Sequence, residues 1–533
     1  MIHAPATRPM ARHTISREAL RGLALAAAAV LGVLASIRLS SPLPWSYDEY
    51  YHLALAREMR SGVRLETFPW APFSVLHDRF VDGSPLFHLI LVPLAGLPIE
   101  RAAQLGAVLG QAFLVASFAW ALGALRVPRP SWLLLALPAL GTLFLQRLEM
   151  CRPHVWLIGF SVLVIALLVE RRWWGLFMAS ALFGLTHVGG WIAVPMAAVW
   201  ALAGPLARGE RAARRRESGG AGGGWLARVG WQGVAATASG WLLGQLLHPQ
   251  VPHNFALLWM SNVVIPFQAI AGSDGALRSQ LGRELARPGL DLLLRQWPAF
   301  VAPLLVLAQL VLVPRLRTRA TLAAGAVALA FFTAGCLLVR RFFELGAPLA
   351  LLALALVLRE RRAQGLPPLF GWAGRPLAAL AIGLGALWSV GMLRSYGFGH
   401  TSAPHDMARW LGEHGARGER VFTAQWADSA PLFWFAPQLQ SLVALDPTAF
   451  HARDPRLFAE YVRIAHGRHQ EPARAIRERF GARWVSLWKA PAYRPLAAQL
   501  LRTAGPRVVF EDREYLVLDL GPAPPRPAAR AAE

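Results

Sequence analysis

Long uninterrupted apolar stretches set the terms for this chain. Runs such as 20–40, 101–125 and 342–358 are about 17 to 25 residues long, the length a helix needs to cross a hydrocarbon layer roughly 30 Å thick. Inside such a layer every backbone amide and carbonyl has to be satisfied within its own segment, so these runs fold as helices. About eleven are read on this criterion: 20–40, 101–125, 131–146, 154–170, 173–187, 189–206, 229–247, 297–314, 320–339, 342–358 and 376–394. With 55% of its 533 residues hydrophobic, the chain is predicted to be a polytopic α-helical membrane protein, and a soluble enzyme is excluded.

A net charge of +23 would suit a nucleic-acid binder, but the arginines sit in short loops between the runs and form no basic face interleaved with aromatics. They set orientation instead, because short loops rich in Lys or Arg stay in the cytoplasm. With Arg8, Arg12 and Arg17 inside, the loops at Arg126 and Arg129, Arg171 and Arg172, 208–228, 315–319 and 359–375 are cytoplasmic. The same count puts 41–100, 147–153, 248–296 and everything after 395 outside. The expected setting is a bacterial inner membrane, with a cytoplasmic N-terminus and a periplasmic C-terminal domain. A cleaved signal peptide is the alternative for 22–37, but the run exceeds a usual signal core and no Ala-x-Ala site follows.

Residues 85–97 are too short and Pro-interrupted for a comfortable crossing and suit a helix lying at the interface. The Arg- and Gly-rich segment 208–224 reads as a flexible linker; its glycines lack the preceding strand and the partner residue of a phosphate-binding loop. Cys151 and Cys336 have neither metal-ligand spacing nor a disulfide framework. Three parts follow: a transmembrane region 1–394 with a large outward loop 41–100, an α/β domain 395–520, and a Pro/Ala-rich tail 521–533. In the α/β part, helices are predicted at 404–415, 454–466, 471–480 and 494–504, with strands at 420–423, 441–445, 483–487, 507–510 and 515–520. The last two would form a hairpin about 511–514.

The chemistry is concentrated in Ser46-Tyr47-Asp48-Glu49-Tyr50-Tyr51-His52, just after the first apolar run. Carboxylates at a membrane surface have to be solvated, paired or bound to a cation, so Asp48 and Glu49 are candidate catalytic acids. Acids also suit an ordinary helix N-terminus. The rest of the loop adds His52, His77, Asp78, Asp82 and His88, groups that ligate metal, hydrogen-bond a substrate's hydroxyls or simply face water, and Arg57 as a further substrate contact. Asp82 with Gly83 is also a common turn pair. The second outward loop holds Arg147, Glu149, Arg152 and His154, where the arginines suit phosphate oxygens or pair with Glu149. Arg340 and Arg341 lie outside against the positive-inside bias, which asks for a local reason such as a bound anion or pairing with Glu344. His187, in Thr186-His187-Val188-Gly189-Gly190, is a further weak candidate.

This arrangement resembles the GT-C membrane glycosyltransferases. Asp48-Glu49 after the first span is similar to the acid pair of protein O-mannosyltransferases. The stretch from Asp48 through Arg57, Phe68-Pro69, Asp82-Gly83 and Pro85-Leu86-Phe87 resembles the first loop of oligosaccharyltransferase catalytic subunits, and the lipid A aminoarabinose transferases are also similar. The resemblance implies transfer of a sugar from a polyprenyl phosphate or diphosphate donor to a protein, lipid or glycan acceptor. Asp48 and Glu49 would be catalytic, Arg147, Arg152, Arg340 and Arg341 would hold the donor phosphate, and the bilayer would be the carrier's route. The family's Asp-x-Asp motif is missing from 147–154, so a divalent cation such as Mg or Mn would rest on Asp48, Glu149 and His154. Gln425-Trp426-Ala427-Asp428 resembles the Trp-Trp-Asp-Tyr-Gly acceptor motif in one Trp and the Asp, making Trp426 and Asp428 candidate substrate contacts or a core Trp and a helix cap. Two other readings stand beside the enzyme: a lipid-linked glycan transporter, and a non-catalytic assembly subunit of the same fold.

Overall fold

The computed structural model describes residues 16–207, 230–271, 274–280, 282–371, 374–395, 403–443, 446–503 and 505–522. Arg8, Arg12, the linker expected at 208–224 and the tail beyond 522 lie outside the described residues. The bundle is built from α1 (Arg17–Ser40), α2 (Tyr47–Arg60), α3 (Pro85–Leu91), α4 (Ile99–Ala124), α5 (Pro130–Leu135), α6 (Thr142–Leu148), α7 (Pro153–Val169), α8 (Trp173–Thr186), α9 (Ala193–Leu206), α10 (Gln232–Leu246), α11 (Trp297–Leu312), α12 (Arg319–Leu337), α13 (Phe343–Ala363) and α14 (Gly374–Ser395).

Each stretch expected to be helical is helical, but the count of about eleven crossings is not reproduced. Among the described residues, 5 helices are long and apolar enough to cross a membrane, or 6 if α6 and α7 form one broken span. The run 131–146 divides at Pro138 and at Gly141, whose φ of +100° is open to glycine and strained for other residues. α8, α9 and α11 are apolar but shorter.

Apolar surface is sorted by depth. α13 is buried along most of its length at the centre of one cluster that includes residues of α1, α4, α7, α8, α9 and α12, whereas α14 and α1 present Leu377, Leu380, Leu387 and Leu25 outward. Gly240 and Gly244 of α10 lie directly against the backbone of Phe177 and Ala181 in α8. A small residue every fourth position lets two helices approach closely where no hydrophobic gain separates protein from lipid.

The C-terminal part holds a five-stranded sheet of β1 (Arg420–Thr423), β2 (Gln440–Ser441), β3 (Trp484–Trp488), β4 (Arg507–Glu511) and β5 (Tyr515–Asp519), in the order β2-β1-β3-β5-β4. β1 runs parallel to β2 and β3, while β5 is antiparallel to β3 and β4. The expected hairpin forms because the Asp512 side chain accepts hydrogen bonds from the amides of Glu514 (2.7 Å) and Tyr515 (2.6 Å). The strand expected at 441–445 is confined to Gln440–Ser441, and 444–445 lie outside the described residues.

This domain is docked on the first outward loop. Val75 donates to the Ala449 carbonyl (3.0 Å), Ser441 to that of Trp70 (2.7 Å), and Arg57 to those of Phe433 and Trp434 (3.3 and 2.8 Å). The loop is thereby held between the bundle and the sheet domain.

Candidate active site

Asp48 and Glu49 open α2, where the first-turn amides favour negative charge. Consecutive helical residues point about 100° apart, so the pair cannot act on one object. Glu49 turns inward and is fully buried. It accepts hydrogen bonds from the Trp45 amide (2.7 Å) and the Cys151 amide (2.6 Å), and it lies 3.6 Å from the buried Arg38 guanidinium of α1. Glu49 thus fastens the first loop to α1 and to the chain ahead of α7. Asp48 turns the other way, stays 19% exposed, and is ion-paired with Arg152.

Arg152 is delivered by a break in the bundle. α6 and α7 meet at 110°, with Arg152 extended at the N-cap of α7 because the residue before a proline, here Pro153, is pushed out of helical geometry. The bend brings Arg147 and Arg152 to one outward lip. Arg147 is ion-paired with Glu344 at the start of α13 and with Glu284 from the segment between α10 and α11. Glu284 also lies 3.6 Å from Arg152 and 3.5 Å from Arg341. Three guanidinium groups therefore converge on one carboxylate. Burial would raise the pKa of Glu284, but Arg147, Arg341 and Arg152 outweigh it and hold the group well below the usual carboxylate range. The Arg340 amide donates to the Ala286 carbonyl (3.2 Å), tying α13 to the same segment.

Glu284 was not singled out in the sequence. Its only signal is its place among the acids Asp274, Glu284 and Asp291 of a long outward segment facing an arginine-rich lip.

Beside the lip runs a chain of imidazoles. Asp82 accepts at Oδ1 from the Ser84 amide (2.8 Å) and at Oδ2 from His88 Nδ1 (2.7 Å), and His88 Nε2 lies 2.7 Å from His52 Nδ1. His52 stands one helical turn beyond Asp48 on α2. His248 Nε2 donates to the Asp82 carbonyl (2.8 Å), its Nδ1 being occupied by the Gln250 amide (3.1 Å).

The remaining candidates fall elsewhere. Arg57 stacks over Trp434 (4.3 Å) while donating to carbonyls, His77 lies against the Phe68 carbonyl (3.3 Å), and Asp78 pairs with Arg453 (2.8 Å). These three expected substrate contacts instead tie the first loop to the sheet domain or to itself. Trp426 packs on the sheet-domain core, and Asp428, expected to touch substrate, is fully buried and accepts from Tyr515 (2.7 Å). Burial pushes the Asp428 carboxyl up to about 8, against the hydrogen bond from Tyr515. Tyr47, the neighbour of Asp48, lies near both Tyr515 and Asp428.

The expected cation set also comes apart. Glu149 is buried beside Arg38, and His154 packs edge-on against His187 with ring centroids 4.8 Å apart. Among the described residues no group of 3 or more His, Cys, Asp and Glu could hold a metal ion. Asp48, Glu149 and His154 do not fit one. His187 caps its own turn, accepting at Nδ1 from the Gly189 amide (2.7 Å).

No protein-family model and no curated protein matches the chain by sequence. Solved structures do match. The oligosaccharyltransferase AglB from Archaeoglobus fulgidus, in complex with an inhibitory peptide and a dolichol-phosphate, is 12% identical, with a TM-score of 0.55 over 88% of this chain and 69% of that one. ArnT from Cupriavidus metallidurans in the apo state is 16% identical, with a TM-score of 0.51 over 95% of this chain and 100% of that one. The arabinofuranosyltransferase AftD from Mycobacteria is 16% identical, with a TM-score of 0.52 over 96% of this chain and 40% of that one. All three are GT-C glycosyltransferases, and at these identities the likeness establishes that this chain has the GT-C fold.

Proposed function

We propose that the chain is a membrane glycosyltransferase that moves a sugar from a polyprenyl phosphate or diphosphate carrier to a protein, lipid or glycan acceptor at the outer face of the inner membrane. In this reading it crosses the bilayer about eleven times, with its N-terminus inside and its sheet domain outside. One observation carries the proposal: Arg147, Arg152 and Arg341 converge on the Glu284 carboxylate, with Asp48 held at the edge of the cluster by Arg152.

A carboxylate and a phosphate present similar oxygens to guanidinium groups, and arginine forks suit both. Glu284, 25% exposed on a segment outside the bundle, occupies the position a donor phosphate would take and would be displaced by it. Preorganised positive charge then stabilises the phosphate as the bond from the sugar C1 to the phosphate oxygen breaks and its electron pair leaves with the carrier. Asp48 would accept a hydrogen bond from the incoming acceptor and aim it at the opposite face of C1. The dolichol-phosphate held by the archaeal structure of the same fold supports a lipid-linked donor.

The test is reconstitution in vesicles with radiolabelled polyprenyl-linked sugars. Asp48→Asn should lower transfer by about 10²-fold or more, the scale of a positioned acid or base. Equal transfer by the two proteins would remove Asp48 from the mechanism.

A further inference from the structure

The imidazole chain beside the arginine lip has an order that a set of unrelated surface histidines would lack. Asp82 accepts the Ser84 amide at Oδ1 and meets His88 at Oδ2, and a carboxylate oxygen there places the His88 proton on Nδ1. With its Nδ1 proton given to Asp82, His88 presents a lone pair at Nε2, which fixes the proton of His52 on Nδ1. That leaves His52 Nε2 as a lone pair, with no hydrogen bond among the described residues. All three groups are buried, Asp82 being 4%, His88 1% and His52 7% exposed. Both Asp82 oxygens and both His88 nitrogens are partnered, and the chain ends at His52, one helical turn from Asp48.

Resting on the transfer reading above, we infer that His52 Nε2 is the terminal acceptor of the proton released by the attacking group, and that His88 and Asp82 are positioning residues that fix its tautomer and stabilise its charge. As the acceptor oxygen or nitrogen forms its bond to the sugar C1, the bond from C1 to the phosphate oxygen breaks, the electron pair leaves on the phosphate, and the acceptor's proton moves to His52 Nε2. The imidazolium so formed is stabilised through His88 by the Asp82 charge, as a buried acid stabilises a catalytic histidine in acyl transfer. Asp48, engaged with Arg152, is left to orient the acceptor.

The groups facing this chain are Arg152 ahead of α7, His187 after α8, His248 after α10, and Tyr51 and Asp48 on α2. Burial, and then the positive charge that His88, Arg152 and His187 would carry, hold the His52 pKa well below the usual histidine value, so the resting ring is neutral.

The experiment compares wild type, His52→Gln and Asp82→Asn in vesicles, with radiolabelled polyprenyl phosphate sugars, over a range of pH. His52→Gln should lose about 10²-fold in kcat while the donor KM stays within about threefold, and the acid limb of its kcat profile should vanish. Asp82→Asn should keep that limb but move it to lower pH, a change that a merely structural residue would not produce. An unchanged kcat and acid limb in His52→Gln overturns the inference, as does an acid limb that Asp82→Asn leaves in place. If wild type transfers no polyprenyl-linked sugar, the transfer reading itself fails. Nitrogen-15 spectra of histidine-labelled protein then decide the imidazole chain separately: a neutral His52 protonated at Nδ1 upholds its geometry, and a proton on Nε2 refutes it.

Discussion

The arginine lip and the seam between the first loop and the sheet domain are made of the same residue types, yet they solve opposite problems. At the lip, Arg147, Arg152 and Arg341 face Asp48, Glu284 and Glu344, so charge is balanced against charge and several of the groups remain partly open. At the seam, Arg57 spends its donors on backbone carbonyls and its face on Trp434, and Asp428 is sunk beneath Tyr515 and Tyr47. Backbone carbonyls cannot be displaced by a ligand without undoing the fold. A partly exposed carboxylate can be. On the proposed transfer reading, polar residues mark function only where their partners are replaceable.

That contrast is broken most forcefully at Arg147. Arg147→Ala leaves Glu344 buried in α13 and Glu284 without its principal partner, and breaking a buried ion pair from one side costs about 3–5 kcal/mol. Thermal unfolding in detergent should show a large drop, partly recovered in Arg147→Ala/Glu344→Gln, since the second change removes the stranded charge. A loss no larger than that of an exposed pair would mean that the lip is not a balanced unit.

A smaller effect, with a distinctive pH signature, is expected at Asp428. The carboxyl rises from 3.8 to about 8 on folding, so the folded protein keeps a proton that the unfolded chain has already released. Its contribution is therefore fully present below about pH 4, declines as pH rises between the two values, and stops changing above about 8, with a slope of at most about 1.4 kcal/mol per pH unit. Asp428→Asn, which retains an oxygen for Tyr515, should flatten the fall in melting temperature from pH 5 to 8. Identical slopes in the two proteins would show that Asp428 ionises as freely as a surface acid.

How much of this was legible beforehand depends on the range of the interaction. The apolar runs become helices because the signal is local, and the division of Asp48 from Glu49 follows from helical geometry once α2 begins at Tyr47. The acid–imidazole chain was half legible: Asp82, His88 and His52 were each marked, but their order depends on α3 packing against α2. Glu284 was illegible because its meaning is wholly tertiary. No spacing connects it to Arg147, 137 residues away, and it lies in a segment of short helices with no periodic signal. Likewise, Asp428 reads as a substrate contact or a helix cap until β5 brings Tyr515 over it.

The smallest expected effect is also the sharpest test of the division between lip and seam. Asp78 carries the same charge as Asp48 and lies in the same outward loop, so sequence ranks it as a possible sugar contact. In the fold it pairs with Arg453 at the rim of the seam, where the two side chains are 64% and 37% exposed. An ion pair this open is screened by water and salt and contributes about 0.2–1 kcal/mol. Arg453 keeps a second attachment, donating to the Ser74 carbonyl at 2.9 Å, so the seam remains closed when the carboxylate is removed. Asp78→Ala should therefore lower the unfolding free energy by no more than about 1 kcal/mol, and it should leave transfer of a polyprenyl-linked sugar unchanged under conditions in which Asp48→Asn is impaired. A loss of transfer in Asp78→Ala without loss of stability would place substrate at the seam and erase the distinction, because a carboxylate whose partner is a neighbouring domain would then be acting as one whose partner is a ligand.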